Sequence, residues 1–205
     1  MAYPTVSAPY GFQPINRQDG MAYAGATTQY GISSVTTTIK NGDLVYVSAG
    51  VIVKSGVTNN AVSTANLTAG VFMGCQYVNT QGQTVQAQYY PGNAAASSAI
   101  AYVVVDPNAA YKVAVTASGS ATITGTTIGA LGVNLAVRQG TGSTTTGDSG
   151  LSVVAPSSAG NASSLPVKVI GVVPATASNA TNYTEVIVVL TNPQMTAAAG
   201  SVNFA

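Results

Sequence analysis

The sequence contains no histidine, no tryptophan and one cysteine, Cys75, and only 5% of its 205 residues are charged. Each shortage excludes a chemistry. Without histidine the commonest general base and metal ligand are missing. A single cysteine forms no internal disulfide and, with five scattered carboxylates, supplies no zinc or haem site. No cofactor is therefore expected. The apolar flank of Cys75, VFMGCQYV, marks it as a small buried hydrophobe rather than a reactive thiol. A lone cysteine also suits a protein that folds in a reducing cytoplasm. Apolar runs such as AIAYVVV are far too short to cross a bilayer. The start, MAYPTVSAPYG, has neither the basic residues nor the apolar stretch of a Sec signal.

One motif resembles catalytic machinery. Gly147-Asp148-Ser149-Gly150 is the tetrapeptide that surrounds the nucleophilic serine of trypsin-like proteases. A serine nucleophile needs a base and a group to orient that base. No histidine can act as base, and the lysine nearest in sequence, Lys168, lies in a valine-rich stretch that reads as a strand. The alternative is a turn in which Gly147 and Gly150 supply positive φ while Asp148 and Ser149 cap their own backbone. The surrounding glycine- and threonine-rich loop, RQGTGSTTTGDSG, is no nucleotide loop either. A phosphate loop ends in Gly-Lys-Ser/Thr, and here an aspartate takes the place of the lysine. The chain reads as non-enzymatic.

The charge that is present nearly cancels, leaving +1. No basic stripe points to nucleic acid and no cationic amphipathic helix points to a membrane. Globular domains ordinarily carry about a quarter charged residues. Here Ala, Gly, Ser, Thr, Asn and Gln replace them. Such a surface hydrates, yet few ions must be stripped of water when it is covered. Weak long-range repulsion lets copies approach. The composition suits a protein packed against neighbours, itself among them.

Residues 1–20 carry Pro4, Pro9 and Pro14 among Tyr3, Tyr10 and Phe12, which predicts an extended arm rather than a helix. Two readings are open: an arm lying across another subunit, or a strand folded back on its own body. From about residue 30 the sequence is strand-like. NGD, LVYV, SAG and VIVK predict a β-hairpin with its tip at Ala49-Gly50. VFMGCQYV and TVQAQYY follow as strands. AIAYVVV and YKVAV flank an Asp106-Pro107 turn, which predicts their pairing or a bend within one sheet. A short helical turn is expected near Thr127. LSVV, PVKVIGVV and YTEVIVVL close the sheet region. AGVFMGC and VKVIGVV share a plan, an apolar strand with a central glycine, that suggests a duplicated lobe. The fold class is therefore all-β, an antiparallel sandwich or barrel-like body with an extended N-terminal arm and little helix. The divisions are an arm over 1–20, a body over 21–192 and a tail over 193–205. Two lobes, about 21–118 and 119–192, remain an alternative within the body.

Blocks along the chain resemble a family of virion proteins of tailed bacteriophages common in aquatic phages. They run APYGFQPINRQDGMAYAGATTQYGI, NGDLVYV, GVFMGC, AYVVVDPNAAYKVAV, GVNLAVRQGTGSTTTGDSGLSVV, PVKVIGVV and VIVVLTNPQM. The resemblance covers most of residues 8–195. It implies a head structural protein, a cement or decoration protein on the outer capsid surface. Such a protein binds the major capsid protein at capsomer junctions, often as a trimer, after assembly in the host cytoplasm. On this reading the candidate interface residues are Tyr3, Pro4, Tyr10 and Phe12 of the arm and Phe204 of the tail. A receptor-binding fibre or spike domain is the alternative, since tyrosines and Thr/Ser/Gly/Asn-rich loops suit glycan contact. The repeats or heptads of a fibre stalk are absent from the sequence.

Overall fold

The computed structural model describes residues 8–32, 37–55, 68–92, 98–116, 131–155, 165–177, 183–191 and 193–194. Within them the chain is nearly all β, as the sequence predicts. Seven strands belong to its first half: β1 (Gln13–Arg17), β2 (Thr28–Gly31), β3 (Leu44–Ser48), β4 (Val51–Lys54), β5 (Gly70–Val78), β6 (Thr84–Ala87) and β7 (Ile100–Val104). The second half adds β8 (Ala109–Thr116), β9 (Asn134–Leu135), β10 (Val137–Gly140), β11 (Gly150–Val154), β12 (Val167–Val172) and β13 (Glu185–Leu190). A single helical turn, α1, spans Pro174–Ala177. The turn expected near Thr127 lies outside the described residues.

Two sheets result, in the orders β2-β7-β5-β3-β4 and β10-β11-β8-β13-β12-β9, with β6 added to β5 and β1 added to β8. The expected hairpin is β3–β4. Its register pairs Ser48 with Val51, and Ala49 and Gly50 both take positive φ at the tip, the geometry that matches the twist of the flanking strands. In the second sheet β9 and β10 behave as one strand broken at Ala136. One end pairs with β12 and the other with β11, so the sheet curls into a nearly closed barrel. Alternation supplies the filling: Val167 and Val169 are buried while Lys168 and Ile170 are exposed. Tyr111, Val113, Leu151, Val153, Val186 and Val188 meet them inside.

The two sheets share one wiring. In the first, β2 pairs with β7, β7 with β5, β5 with β3 and β3 with β4, all antiparallel. In the second, β8 pairs with β13, β13 with β12, β12 with β9 and β10 with β11, again antiparallel. Each closes through a parallel contact, Ile32 with Ile52 in one and Val153 with Val115 in the other. The register shift also recurs in place. It falls between Phe72 and Gly74 in β5 and between Val169 and Gly171 in β12. These are the glycine-bearing strands whose likeness the sequence shows. The duplication is therefore one of topology.

Residues 105–108 carry the chain between the sheets. The Asp-Pro turn is formed, with Asn108 N donating to Asp106 Oδ1 at 2.9 Å and Ala109 N to Asp106 O at 3.1 Å. Its flanking strands do not pair, and no single sheet bends there, contrary to both expectations. Both edges of β7 are taken, by β2 and β5, so no partner is left for β8. The change of sheet thus falls at 105–108. β1, from the expected arm, lies antiparallel on β8, pairing Gln13 with Lys112 and Arg17 with Ala109. Pro14 is tolerated because β1 is a marginal strand with a register shift. Of the two readings of residues 1–20, the described part, 8–20, follows the strand folded back on its own body.

Candidate functional site

The Gly-Asp-Ser-Gly motif sits where the two sheets interlock. Ser149 N donates to Asn41 O at 2.8 Å, Asn41 N to Gly147 O at 2.9 Å, and Gly11 N to Leu151 O at 3.1 Å. Phe12 N donates to Gly42 O at 3.0 Å and Gly42 N to Phe72 O at 2.8 Å. These three segments pack so closely that a side chain on Gly11 would bring its Cβ to 2.8 Å from both Gly42 O and Ser149 Cβ. Its φ of +84° excludes most other residues as well. Gly147 takes the expected positive φ. Gly150 does not. It is glycine because a Cβ there would stand 2.6 Å from Gly140 C and Thr141 C.

At the centre of this junction lies Asp43, wholly buried. Its carboxylate accepts from Ser149 Oγ at 2.5 Å and from Lys40 N at 2.8 Å, and pairs with Lys54 Nζ at 2.7 Å. Ser149 is 1% exposed, and its Oγ accepts from Leu151 N at 3.0 Å, so it does cap its own backbone. The hydroxyl proton is committed to a carboxylate, and substrate has no route to the oxygen. The amine in this cluster is Lys54, not Lys168, and it neutralises Asp43 rather than serving Ser149. The arrangement is a polar rivet between sheets. Burying a carboxylate is strongly unfavourable unless it is paired and hydrogen-bonded, and here it is both.

A second ionic cluster fastens the N-terminal segment to the barrel. Tyr10 Oη donates a short hydrogen bond to Glu185 Oε1. Lys112 Nζ lies 3.2 Å from the same oxygen and 5.5 Å from the centre of the Tyr10 ring. Burial first, then the hydrogen bond to Glu185 and its negative charge, push the Tyr10 phenol well above its ordinary value. Glu185 N in turn donates to Thr176 Oγ1 of α1 at 2.9 Å. A third cluster joins Arg17 to Asp19 at 3.1 Å and to Asp106 at 3.2 Å.

Of the residues assigned to an interface, Phe12 is wholly buried in the described chain, edge-on to Tyr111 with ring centres 6.1 Å apart. It belongs to the core and is not a surface anchor. Tyr10 is partly buried against Lys112 and Glu185 of the same chain. Tyr3, Pro4 and Phe204 lie outside the described residues. The Tyr111 hydroxyl is buried without a hydrogen-bond partner, and burial raises its pKa. Cys75 is buried as expected, its thiol pushed up to about 12 by desolvation.

Above Cys75 the outer face of the first sheet holds a shallow, open depression of about 290 Å³ lined by Met73, Gly74, Gln86, Gln88 and Tyr102. It contains no charged group. No group of three or more metal-binding side chains occurs among the described residues, and none of their helices is long and apolar enough to cross a membrane. Sequence reasoning found Cys75, the hairpin and the Asp-Pro turn but missed all three ionic clusters. The Asp43–Lys54 pair leaves a trace, because a tip at 49–50 sets Val45 opposite Lys54, two residues beyond Asp43. Ser149 leaves none, since its contact spans 106 residues. Compared with known proteins, the chain matches no family model, no curated protein and no solved structure.

Proposed function

We propose that this chain is a non-enzymatic structural protein of a bacteriophage virion, a cement that binds the outer capsid surface at capsomer junctions. Its partners are the major capsid protein and further copies of itself, with a trimer favoured. The observation that carries the reading is where the few ions go. Four of the five carboxylates are held in ion pairs within the chain: Asp43 and Glu185 buried, Asp19 and Asp106 around Arg17. The charge that a soluble domain usually displays is drawn into joints of the fold. The exposed positions of the described strands carry amides, hydroxyls or glycine, except Lys168 and Ile170. Covering such a surface costs little desolvation, and many modest contacts repeated by symmetry hold where one would not. The sequence resemblance to phage head proteins supports the same reading.

The test is to add purified protein to capsid shells that lack it and to count bound copies. Occupancy matching the number of capsomer junctions, with shells more resistant to heat, is the expected result. Binding of a few copies at a tail or vertex would replace the reading with that of a fibre or spike. No binding at high concentration would overturn both. Removing residues 1–14 is no clean test of an arm, because it takes away Gly11 and Phe12 of the junction. Removing residues 1–7 leaves the described chain intact and is the variant to use.

A further inference from the structure

The shared wiring of the two sheets exposes one difference between them. The first strand of the barrel, β8, has β13 on one edge. On its other edge lie β11, at Val115–Thr116, and β1, at Ala109–Lys112. The first strand of the first sheet's ring of pairings, β2, has β7 on one edge and touches β4 through Ile32 on the other. Matching Ile32 to Val115 through these parallel contacts sets residues 26–29 in the position that 109–112 hold in β8. In β8 that stretch is covered by β1. The equivalent stretch, Ala26 to Gln29, leads into β2 and is exposed at every residue; Tyr23 Oη donates to Ala26 O at 2.9 Å, and no described strand pairs with the outer edge.

The edge is also undefended. Natural sheets protect open edges with charge, proline or a bulge, because unpaired N–H and C=O groups template another strand. Ala24-Gly25-Ala26-Thr27-Thr28-Gln29-Tyr30-Gly31 has no charge and no proline, and the β2–β7 register runs without a shift. The neighbouring ions, Arg17, Asp19 and Asp106, are engaged with one another.

We infer that the outer edge of β2, over residues 26–29, pairs with an extended segment of a second copy of this chain, as the equivalent edge of β8 pairs with β1. The occupant is assigned to a second copy because this chain's own strand already fills the equivalent place. A near-neutral partner also meets no repulsion here, and main-chain pairing needs no side-chain match. The inference does not rest on the capsid reading. A chain that ignored capsid shells would still associate with itself through this edge.

Amide hydrogen exchange on the intact protein tests it, run across a concentration series alongside sedimentation. The amides of Thr27 and Gln29, which alternate with those turned toward β7, are expected to gain at least tenfold protection as the protein self-associates. In Gln29→Lys and Thr27→Lys, which put charge on exposed positions, self-association and that protection are expected to be lost while the thermal midpoint of the monomer holds. Protection independent of concentration would mean that the chain's own tail fills the edge, and would overturn the inference. So would self-association that both lysine variants leave untouched, or a wild-type protein that stays monomeric at every concentration.

Discussion

At the residue scale, the fold concentrates its risk in a few buried polar atoms. Asp43 accepts from Ser149 and Lys40 N and pairs with Lys54, and these donors lose their acceptor if the carboxylate is removed. Asp43→Ala is expected to destabilise by about 3–5 kcal/mol, the usual cost of breaking a buried pair and stranding its partner. Ser149→Ala removes one donor and is expected to cost about 1–3 kcal/mol. Chemical denaturation of the two variants checks the order, and a Ser149→Ala loss larger than that of Asp43→Ala would contradict the rivet. Tyr111 is the opposite case. Its hydroxyl is buried without a partner, so Tyr111→Phe keeps the edge contact with Phe12 and is expected to be neutral or to stabilise by about 1 kcal/mol. The buried phenols and thiol also set an alkaline limit. Tyr10, Tyr111 and Cys75 have folded pKa values raised above unfolded values of 10.0 for tyrosine and 9.0 for cysteine. Above those values the unfolded chain releases protons that the folded chain keeps, so stability falls as pH rises. It is fully present below about pH 9 and is lost progressively beyond, for the thiol up to about pH 12. Thermal midpoints measured across that window, in wild type and Cys75→Ala, should show the decline begin later in the variant.

At the element scale, the hairpin β3–β4 carries a residue out of its preferred conformation. Ala49 has φ of 49°, a left-handed region that disfavours a Cβ. Asparagine adopts it more readily and precedes glycine in the favoured two-residue turn. Ala49→Asn is expected to stabilise by about 1 kcal/mol, read as a higher denaturation midpoint at unchanged slope. The hairpin is also the element most legible in the sequence. A turn signal, two β-branched runs and Ala-Gly between them fix its register with no help from the rest of the chain. The cysteine's burial and the Asp-Pro turn were legible for the same reason, because local chemistry determines them. What was not legible was which strands would pair across the turn at 106–107, since that depends on whether β7 has a free edge. The place of Phe12 was hidden likewise. Proline spacing says that residues 9–14 are extended, but only the packing beside Tyr111 decides that they stay on their own body. Ser149 shows the limit most plainly: its motif suggested chemistry or a turn, and its hydrogen bond goes to a carboxylate across the sheet junction.

At the scale of the whole molecule, the shared topology raises the question of whether the two sheets fold as two domains. Each has its own cluster of buried side chains, around Val45, Phe72 and Tyr90 in the first and around Val113, Val153 and Val188 in the second. Yet Leu44, Val71 and Val104 of the first sheet pack in the cluster of the second, together with Phe12. The strand preceding the first sheet, β1, is hydrogen-bonded to the second. Asp43 of one sheet holds Ser149 of the other. Opening either sheet alone would expose part of this shared core and strand a buried carboxylate, a loss of several kcal/mol against a total stability of about 5–15 kcal/mol. Partial unfolding is therefore disfavoured, and a single cooperative transition is expected, with calorimetric and van't Hoff enthalpies equal. Phe12→Ala, which takes a large side chain from the point where the sheets meet, is expected to cost about 3–5 kcal/mol and to bring the van't Hoff enthalpy below the calorimetric one by loosening the coupling. Two separated transitions in the wild-type protein would show instead that the two sheets stand independently and that the junction merely holds them side by side.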